Sequence, residues 1–157
     1  MLSVFFYNPN IDLETEYQKR KNEVVRVCKE WGVPMVDGDY EPEVWRLAVD
    51  GLETEREGGL RCRACIGLRL QRTARLAAEK KMDWFGTTLT MGRRKRASLV
   101  TPLGDAAGQK VGVAYFAADW KKQGREARAR VMMLERNIYR QTYCGCQYSH
   151  EKQLDLD

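Results

Sequence analysis

The sequence predicts an α/β protein with a mostly parallel sheet covered by helices on both faces, a three-layer and Rossmann-like architecture. Four short runs rich in β-branched and aromatic residues are typical of strands. Amphipathic or helix-forming segments separate these runs, so consecutive strands need crossover connections and pair in parallel. With 157 residues and no internal repeat, residues 1–157 are expected to form one domain.

The first third of the chain alternates strands and helices. We predict a strand at residues 3–7, a helix at 12–31, a strand at 33–36 and a helix from 42 to about 50. The Asn8-Pro9-Asn10 turn ends the first strand, and Gly32 ends the first helix. Cys28 recurs with apolar residues at helical intervals, which indicates a small core residue rather than a ligand.

After a charged loop at residues 53–59, the rest of the chain continues the alternation. We predict helices at residues 66–81, 95–110 and 125–134, and strands at 84–90 and 113–118. Pro102 and Gly104 are expected to interrupt the second of these helices. Residues 149–157 form a polar tail in which His150, the only histidine, is predicted to be solvated. No run approaches the ~20 apolar residues that span a bilayer, and the N-terminus lacks a leader pattern, so we expect a cytoplasmic protein.

Polar residues follow each predicted strand. In parallel sheets ligands bind beyond the carboxyl ends of the strands, so these turns are expected to surround one crevice. They are residues 8–10, 37–39, 88–90 and 119–122. Asp37 and Asp39 could ligate a metal or donate a proton there, although ordinary turn chemistry also explains them. The chain has no GxGxxG, Walker A or nucleophile-elbow motif.

Charge divides the chain into an acidic half and a basic half. Residues 1–60 carry 7 Lys/Arg against 13 Asp/Glu, whereas residues 61–140 carry 19 against 6. A cationic block of this density, here residues 61–148, attracts polyanions by releasing their counterions. Nucleic acid is therefore the leading candidate partner, and a solvated cationic face is the alternative.

Four of the five cysteines form two closely spaced pairs. Cys62 and Cys65 make a C-x-x-C motif, and Cys144 and Cys146 a C-x-C motif around Gly145. In a cytosolic chain such pairs favour metal over disulfide, and four thiolates can hold either zinc or an iron-sulfur cluster. The C-x-C spacing is shorter than the C-x-x-C spacing that structural zinc sites usually repeat, so it slightly favours a cluster. Zinc and a redox dithiol stay open as alternatives.

Several motifs, in order, resemble epoxyqueuosine reductases of the QueH type. They are FFYNPNI, GDY followed by EPEVW, EGGLRCRACIGLRLQRTA, TTLT, ADWKK and IYRQTYCGC. The likeness covers nearly all of residues 4–149. It implies a fold related to the HUP or PP-loop-like nucleotide-binding proteins, and reduction of the epoxide of epoxyqueuosine in tRNA to queuosine. It also implies a 4Fe-4S cluster with an adjacent iron or other divalent metal.

The resemblance implies roles for individual residues. Cys62, Cys65, Cys144 and Cys146 match the family's metal ligands, and Asp39 matches an acid beside that centre. Asp39 or Tyr143 is expected to assist protonation, and an electron donor is required. The anticodon loop of tRNA is expected to bind cationic residues, namely Arg93, Arg94, Lys95, Lys121, Lys122 and Arg140.

Two departures from the family pattern alter these expectations. Family members normally begin with a further strand and a loop of adjacent cysteines, so we expect the sheet here to miss its first strand and the metal site to be short of ligands. After TTLT, Met91-Gly-Arg-Arg-Lys95 replaces a Ser-Pro-His-Lys segment, which removes a histidine. The alternative functions are an RNA-binding module with structural zinc and a cluster-dependent tRNA thiolase.

Overall fold

The computed structural model of the chain describes residues 2–92 and 94–149. Its elements in chain order are β1 (Val4–Phe6), α1 (Glu14–Glu30), β2 (Met35–Asp37), α2 (Pro42–Val49), α3 (Leu60–Glu79), β3 (Trp84–Gly86), a 3-10 helix (Leu89–Met91), α4 (Ala97–Val111), β4 (Ala114–Phe116) and α5 (Arg125–Glu135). The strands pair in parallel, β1 with β2 and β3 with β4. This confirms the α/β class and the parallel pairing. The described strands form two two-stranded sheets, and a three-layer fold stays a prediction.

The chain divides into two compact units. The terminal unit comprises Met1–Leu47 and Met133–Asp157, and the central unit comprises Ala48–Met132. The β1–β2 sheet and α1 belong to the terminal unit, whereas α3, α4 and the β3–β4 sheet belong to the central unit. The C-x-C pair therefore lies in the terminal unit and the C-x-x-C pair in the central unit.

The terminal unit is organised around Tyr17 of α1. Its ring lies 5.4 Å from Phe6 of β1 and 4.2 Å from Tyr40, measured between centroids. Burial raises the pKa of Tyr17 to about 12, so the hydroxyl is protonated at neutral pH. It donates a hydrogen bond to the Gly38 carbonyl oxygen at 3.3 Å. A Cβ at Gly38 would lie 2.8 Å from the Phe6 carbonyl oxygen, so glycine is needed where β2 ends beside β1.

The central unit has the larger core. It is built from eight buried residues, namely Ile66, Leu70, Ala74, Ala77, Phe85, Val100, Ala107 and Val113. Two glycines let α4 approach the sheet closely, because a Cβ at Gly104 would lie 2.5 Å from the Tyr115 ring and one at Gly108 would lie 2.4 Å from the Val113 carbonyl oxygen. The opposite face of this sheet carries Trp84 and Phe116, which are 62% and 54% exposed.

Three predictions for the central unit were wrong. The helix expected at residue 66 begins at Leu60, because residues after Gly59 continue the helical run through the C-x-x-C motif. α4 passes through Pro102 without interruption, since close packing of Gly104 and Gly108 on the sheet outweighs the lost backbone hydrogen bond. β3 ends at Gly86, because the TTLT segment turns into the 3-10 helix.

Cys28 is 7% exposed on α1, which confirms its assignment to the core, and burial raises the pKa of its thiol. Over the described residues, no helix combines the length and the apolar character needed to cross a bilayer.

Candidate functional site

The C-x-C motif forms a tight turn whose centre is glycine. Gly145 is buried and has a φ of +110°, a conformation that side chains of L-residues rarely adopt. Its carbonyl oxygen accepts a hydrogen bond from the Asp12 N–H at 2.9 Å. A Cβ at this position would lie 3.0 Å from Arg20 Nη1 and 3.0 Å from Ile11 Cγ1. The turn therefore requires glycine both for its backbone and for its surroundings.

The two sulfurs of the turn interact directly. A hydrogen bond with Cys144 raises the pKa of the Cys146 thiol, and burial raises it further. Ser149 Oγ lies 3.5 Å from Cys146 Sγ and donates to the Cys146 carbonyl oxygen at 2.9 Å. Two thiols within hydrogen-bond reach and partly shielded from solvent suit joint coordination of a thiophilic metal. The donor set of the turn thus fits a metal or an iron-sulfur cluster.

Arg20 of α1 binds the backbone of this turn. Nη1 donates to the Cys144 carbonyl oxygen at 2.9 Å, and Nη2 donates to the Tyr143 carbonyl oxygen at 3.1 Å. Nε donates to Glu16 Oε1 at 2.7 Å, one helical turn earlier. The Glu16 carboxylate also accepts a hydrogen bond from the Tyr139 hydroxyl, whose oxygen lies 3.0 Å from both Oε1 and Oε2. The side chains of Arg20 and Glu16 are each only 10% exposed.

Sequence reasoning missed Glu16 and Arg20. Their spacing of four residues is typical of an ion pair on a helix surface. Nothing in that spacing indicates that the arginine bonds a segment more than one hundred residues later, as Arg20 does with Cys144.

The C-x-x-C motif lies in the first two turns of α3. Cys62 is half-buried and Cys65 is 9% exposed, and residues three apart share a helix face. The Gly58 N–H donates to Cys62 Sγ at 3.2 Å. Cys62 lies in the first turn of this helix and Cys65 in the second.

A buried arginine also anchors this second motif. Arg61 is 4% exposed, and its Nη1 donates to the carbonyl oxygens of Leu52 at 3.1 Å and Glu53 at 2.7 Å. These bonds tie the loop before α3 to the first turn of the helix. The Leu60 N–H, donating to Glu55 Oε2 at 2.9 Å, adds a further connection.

The two predicted proton donors differ in their surroundings. Asp39 is exposed, two residues after the end of β2. Tyr143 is half-buried next to Cys144, with the Arg20 guanidinium 5.3 Å from its ring centroid. Burial raises the pKa of Tyr143, and the Glu16 carboxylate adds to the shift.

The strand-end turns of the central unit are joined by partly buried hydrogen bonds. Thr90 is fully buried, and its hydroxyl donates to the Ala118 carbonyl oxygen at 2.8 Å and accepts the Trp120 N–H at 3.2 Å. The Trp120 indole N–H donates to the Thr87 carbonyl oxygen at 2.8 Å. The TTLT and ADWKK motifs therefore meet at the carboxyl ends of β3 and β4, as predicted for these two turns.

The predicted tRNA-binding cations have varied environments. Arg94 is exposed and paired with Glu57 at 2.5 Å, and Lys122 is exposed with its Nζ 4.0 Å from Asp119. Lys95 and Lys121 are half-buried, and Arg140 is exposed in the terminal unit. Arg93 and His150 lie outside the described residues. The central unit carries 18 Lys/Arg against 9 Asp/Glu.

Within either unit, the described residues contain no group of three or more His, Cys, Asp or Glu side chains arranged to hold a metal ion. Each unit instead offers one pair of cysteines, Cys62 with Cys65 and Cys144 with Cys146. None of these four cysteines forms a disulfide, so their sulfurs can act as metal ligands.

Comparison with known proteins places the chain in a family. Residues 1–152 match the family profile of epoxyqueuosine reductase QueH. The chain is similar to two proteins named epoxyqueuosine reductase QueH. The one from Histophilus somni is 35% identical over 94% of this chain and 61% of the relative. The one from Haemophilus influenzae is 34% identical over 94% of this chain and 60% of the relative. The relative of that name in Thermotoga maritima is 36% identical, over 92% of this chain and 77% of the relative.

The chain belongs to the epoxyqueuosine reductase QueH family, which confirms the resemblance inferred from its motifs. It spans about three-fifths of the length of the Histophilus and Haemophilus relatives.

Proposed function

We propose that the chain reduces the epoxide of epoxyqueuosine in tRNA and so produces queuosine. The observation that carries the proposal is the family match over residues 1–152, a range that includes all four paired cysteines. The names of the relatives describe the same activity. The chain would act in the cytoplasm, where tRNA is modified.

The reaction has a simple balance. The two C–O bonds of the epoxide break, a carbon–carbon double bond forms, and the oxygen leaves as water after taking up two protons. Two electrons are consumed, and amino acid side chains cannot supply them, so a redox cofactor and a low-potential electron donor are required.

Thiolates of Cys62, Cys65, Cys144 and Cys146 would hold a 4Fe-4S cluster, and Asp39 would ligate an adjacent iron or other divalent metal. When bound, these groups would supply electrons and a Lewis acid. The interaction between the two thiols of the C-x-C turn and the N–H donated to Cys62 Sγ support a ligand role for these sulfurs. Tyr143 is a phenolic donor next to that turn, and either it or Asp39 would protonate the departing oxygen.

The cationic residues would bind the phosphates of the anticodon loop. Support comes from the twofold excess of Lys/Arg in the central unit and from exposed cations at strand ends, including Arg94 and Lys122. A modified base has to leave its stack to reach a reducing centre, and unpaired loops permit this at low cost.

Anaerobic reconstitution with iron and sulfide, followed by incubation with epoxyqueuosine-containing tRNA and a chemical reductant, tests the proposal. Mass spectrometry of the digested nucleosides should show loss of one oxygen from the modified base. Cys146→Ala and Cys62→Ala should abolish both visible absorption and conversion, whereas Cys28→Ala, which alters a buried cysteine outside the pairs, should retain them.

One zinc per chain, no visible absorption and no conversion would refute the proposal and favour an RNA-binding module. Replacement of Lys121 and Lys122 by alanine should weaken tRNA binding. It should also reduce the salt dependence of binding by about one unit of log–log slope for each phosphate that the variant no longer neutralises.

A further inference from the structure

We propose that Arg20 is a positioning residue for the C-x-C pair and that Glu16 holds it in place. The inference rests on the proposed role of Cys144 and Cys146 as metal ligands. It concerns the terminal unit alone, where α1 and the turn both lie.

The guanidinium fixes the turn at two consecutive peptide units. Its two terminal nitrogens donate to the carbonyl oxygens of Tyr143 and Cys144, so the planar fork sets the direction of both peptide planes leading into the motif. Residues 140–146, all of them described by the structure, contain no helix or strand that could set these directions by backbone hydrogen bonding. Arg20 therefore substitutes for secondary structure at the point where the first sulfur is attached.

Burial makes this arrangement specific. A charged side chain that is 10% exposed is costly unless its donors are satisfied, and Glu16 supplies the opposite charge at 2.7 Å. Gly145 supplies the space, since a Cβ there would lie 3.0 Å from Arg20 Nη1. The Arg20 guanidinium therefore occupies space that a side chain at position 145 would take.

Tyr139 links the same pair to the approaching chain. Its hydroxyl donates to Glu16, its backbone N–H donates to Glu23 at 3.3 Å, and the Lys19 ammonium lies 3.8 Å from its ring centroid. α1 consequently holds the segment before the motif at several points along its length. Arg20 is the member of this set that reaches the ligand-bearing residues themselves.

A positioning role predicts effects on metal binding that exceed those on folding. Ligand distances in metal sites are held to within ~0.2 Å. Loss of an outer partner of a ligand typically costs about 10–100-fold in metal affinity. We therefore expect Arg20→Gln to lower metal affinity by about that factor while the chain stays folded. Arg20→Lys keeps the charge but cannot bridge both carbonyls, so it should lose nearly as much.

The experiment compares Arg20→Gln, Arg20→Lys and the control Arg26→Gln, which alters a 43%-exposed arginine of the same helix. Co²⁺ titration of the metal-free full chain, read by sulfur-to-cobalt absorption, reports affinity. Alkylation by iodoacetamide, read residue by residue by mass spectrometry, reports the order of the turn. We expect both Arg20 variants to bind Co²⁺ at least about tenfold more weakly and to alkylate Cys144 and Cys146 several-fold faster. Arg26→Gln should match the unsubstituted chain.

Unchanged Co²⁺ affinity in both Arg20 variants would overturn the inference. A uniform rise in alkylation that includes Cys28 would indicate that these variants have lost the fold. If the Arg20 variants do not fold, Glu16→Gln keeps the acceptor oxygen but removes the charge that fixes Arg20, and it should bind Co²⁺ more weakly with Cys28 still protected. Unaltered Co²⁺ binding by a folded Glu16→Gln chain would also overturn the inference.

These readouts separate the inference from the proposed function. A chain that binds metal normally but does not convert epoxyqueuosine in tRNA would refute the function and leave the role of Arg20 standing. If the Arg20→Gln chain converts the base as well as the unsubstituted chain and binds metal with the same affinity, the role of Arg20 is refuted and the proposed function stands.

Discussion

Replacement of Gly145 by alanine is the most direct test of the C-x-C turn. The residue has a φ of +110°, and an L-residue forced into such a conformation costs about 1–3 kcal/mol. The new Cβ would also lie 3.0 Å from Arg20 Nη1, so the guanidinium would have to withdraw from a carbonyl bond worth about 1.5–3 kcal/mol. Because the chain can relax part of both effects, we expect Gly145→Ala to lower the free energy of unfolding by about 2–4 kcal/mol.

Urea unfolding followed by circular dichroism measures this change. Gly67→Ala is the matched control: Gly67 lies inside α3, a Cβ there would meet no atom within 4 Å, and alanine should stabilise the helix by up to ~1 kcal/mol. Opposite signs for the two substitutions are the expected result. A Gly145→Ala chain within ~0.5 kcal/mol of the unsubstituted one would refute the reasoning, since that is the range of ordinary surface changes.

Three further substitutions test other parts of the structure by the same unfolding measurement. Gly104→Ala should destabilise the central unit by more than ~1 kcal/mol, because its Cβ would lie 2.5 Å from the Tyr115 ring; a neutral result would mean that α4 can move away from the sheet. Thr90→Val should cost about 1–3 kcal/mol, since it leaves the Ala118 carbonyl oxygen and the Trp120 N–H without their buried partner, and equal stability would contradict these bonds. Glu23→Gln should cost at most ~1 kcal/mol at neutral pH. Arg26 lowers the pKa of Glu23 in the folded chain, so this contribution is present above the unfolded pKa of ~4.3 and disappears as the pH falls through the folded value. A difference that persists in acid would contradict the assignment.

The parts of the fold that depend on local patterns were predictable. Alternating runs and turn residues located all four strands, and α1, α2 and α5 were located to within a few residues. The errors occurred where packing between distant segments decided the outcome. Pro102 argues against a helix locally, yet α4 continues because Gly104 and Gly108 fit closely against β3 and β4.

The candidate site shows the same division. Cysteine spacing indicates metal ligands because the ligand chemistry is carried by the cysteines themselves. Gly145 indicates a tight turn because glycine adopts backbone conformations that other residues avoid. Glu16 and Arg20 could not be assigned, because a glutamate and an arginine four residues apart on a helix look like any surface ion pair until the turn that Arg20 binds is known.

The two cysteine motifs share a structural solution. Irregular backbone precedes each motif. In each case a largely buried arginine donates to two consecutive carbonyl oxygens. Arg20 donates to Tyr143 and Cys144, and Arg61 donates to Leu52 and Glu53. Loops lack the repeating hydrogen bonds that hold helices and strands, so their carbonyl groups need outside donors if they are to be kept in one conformation. Arginine is suited to this task because its charge does not titrate and its nitrogens lie in one rigid plane.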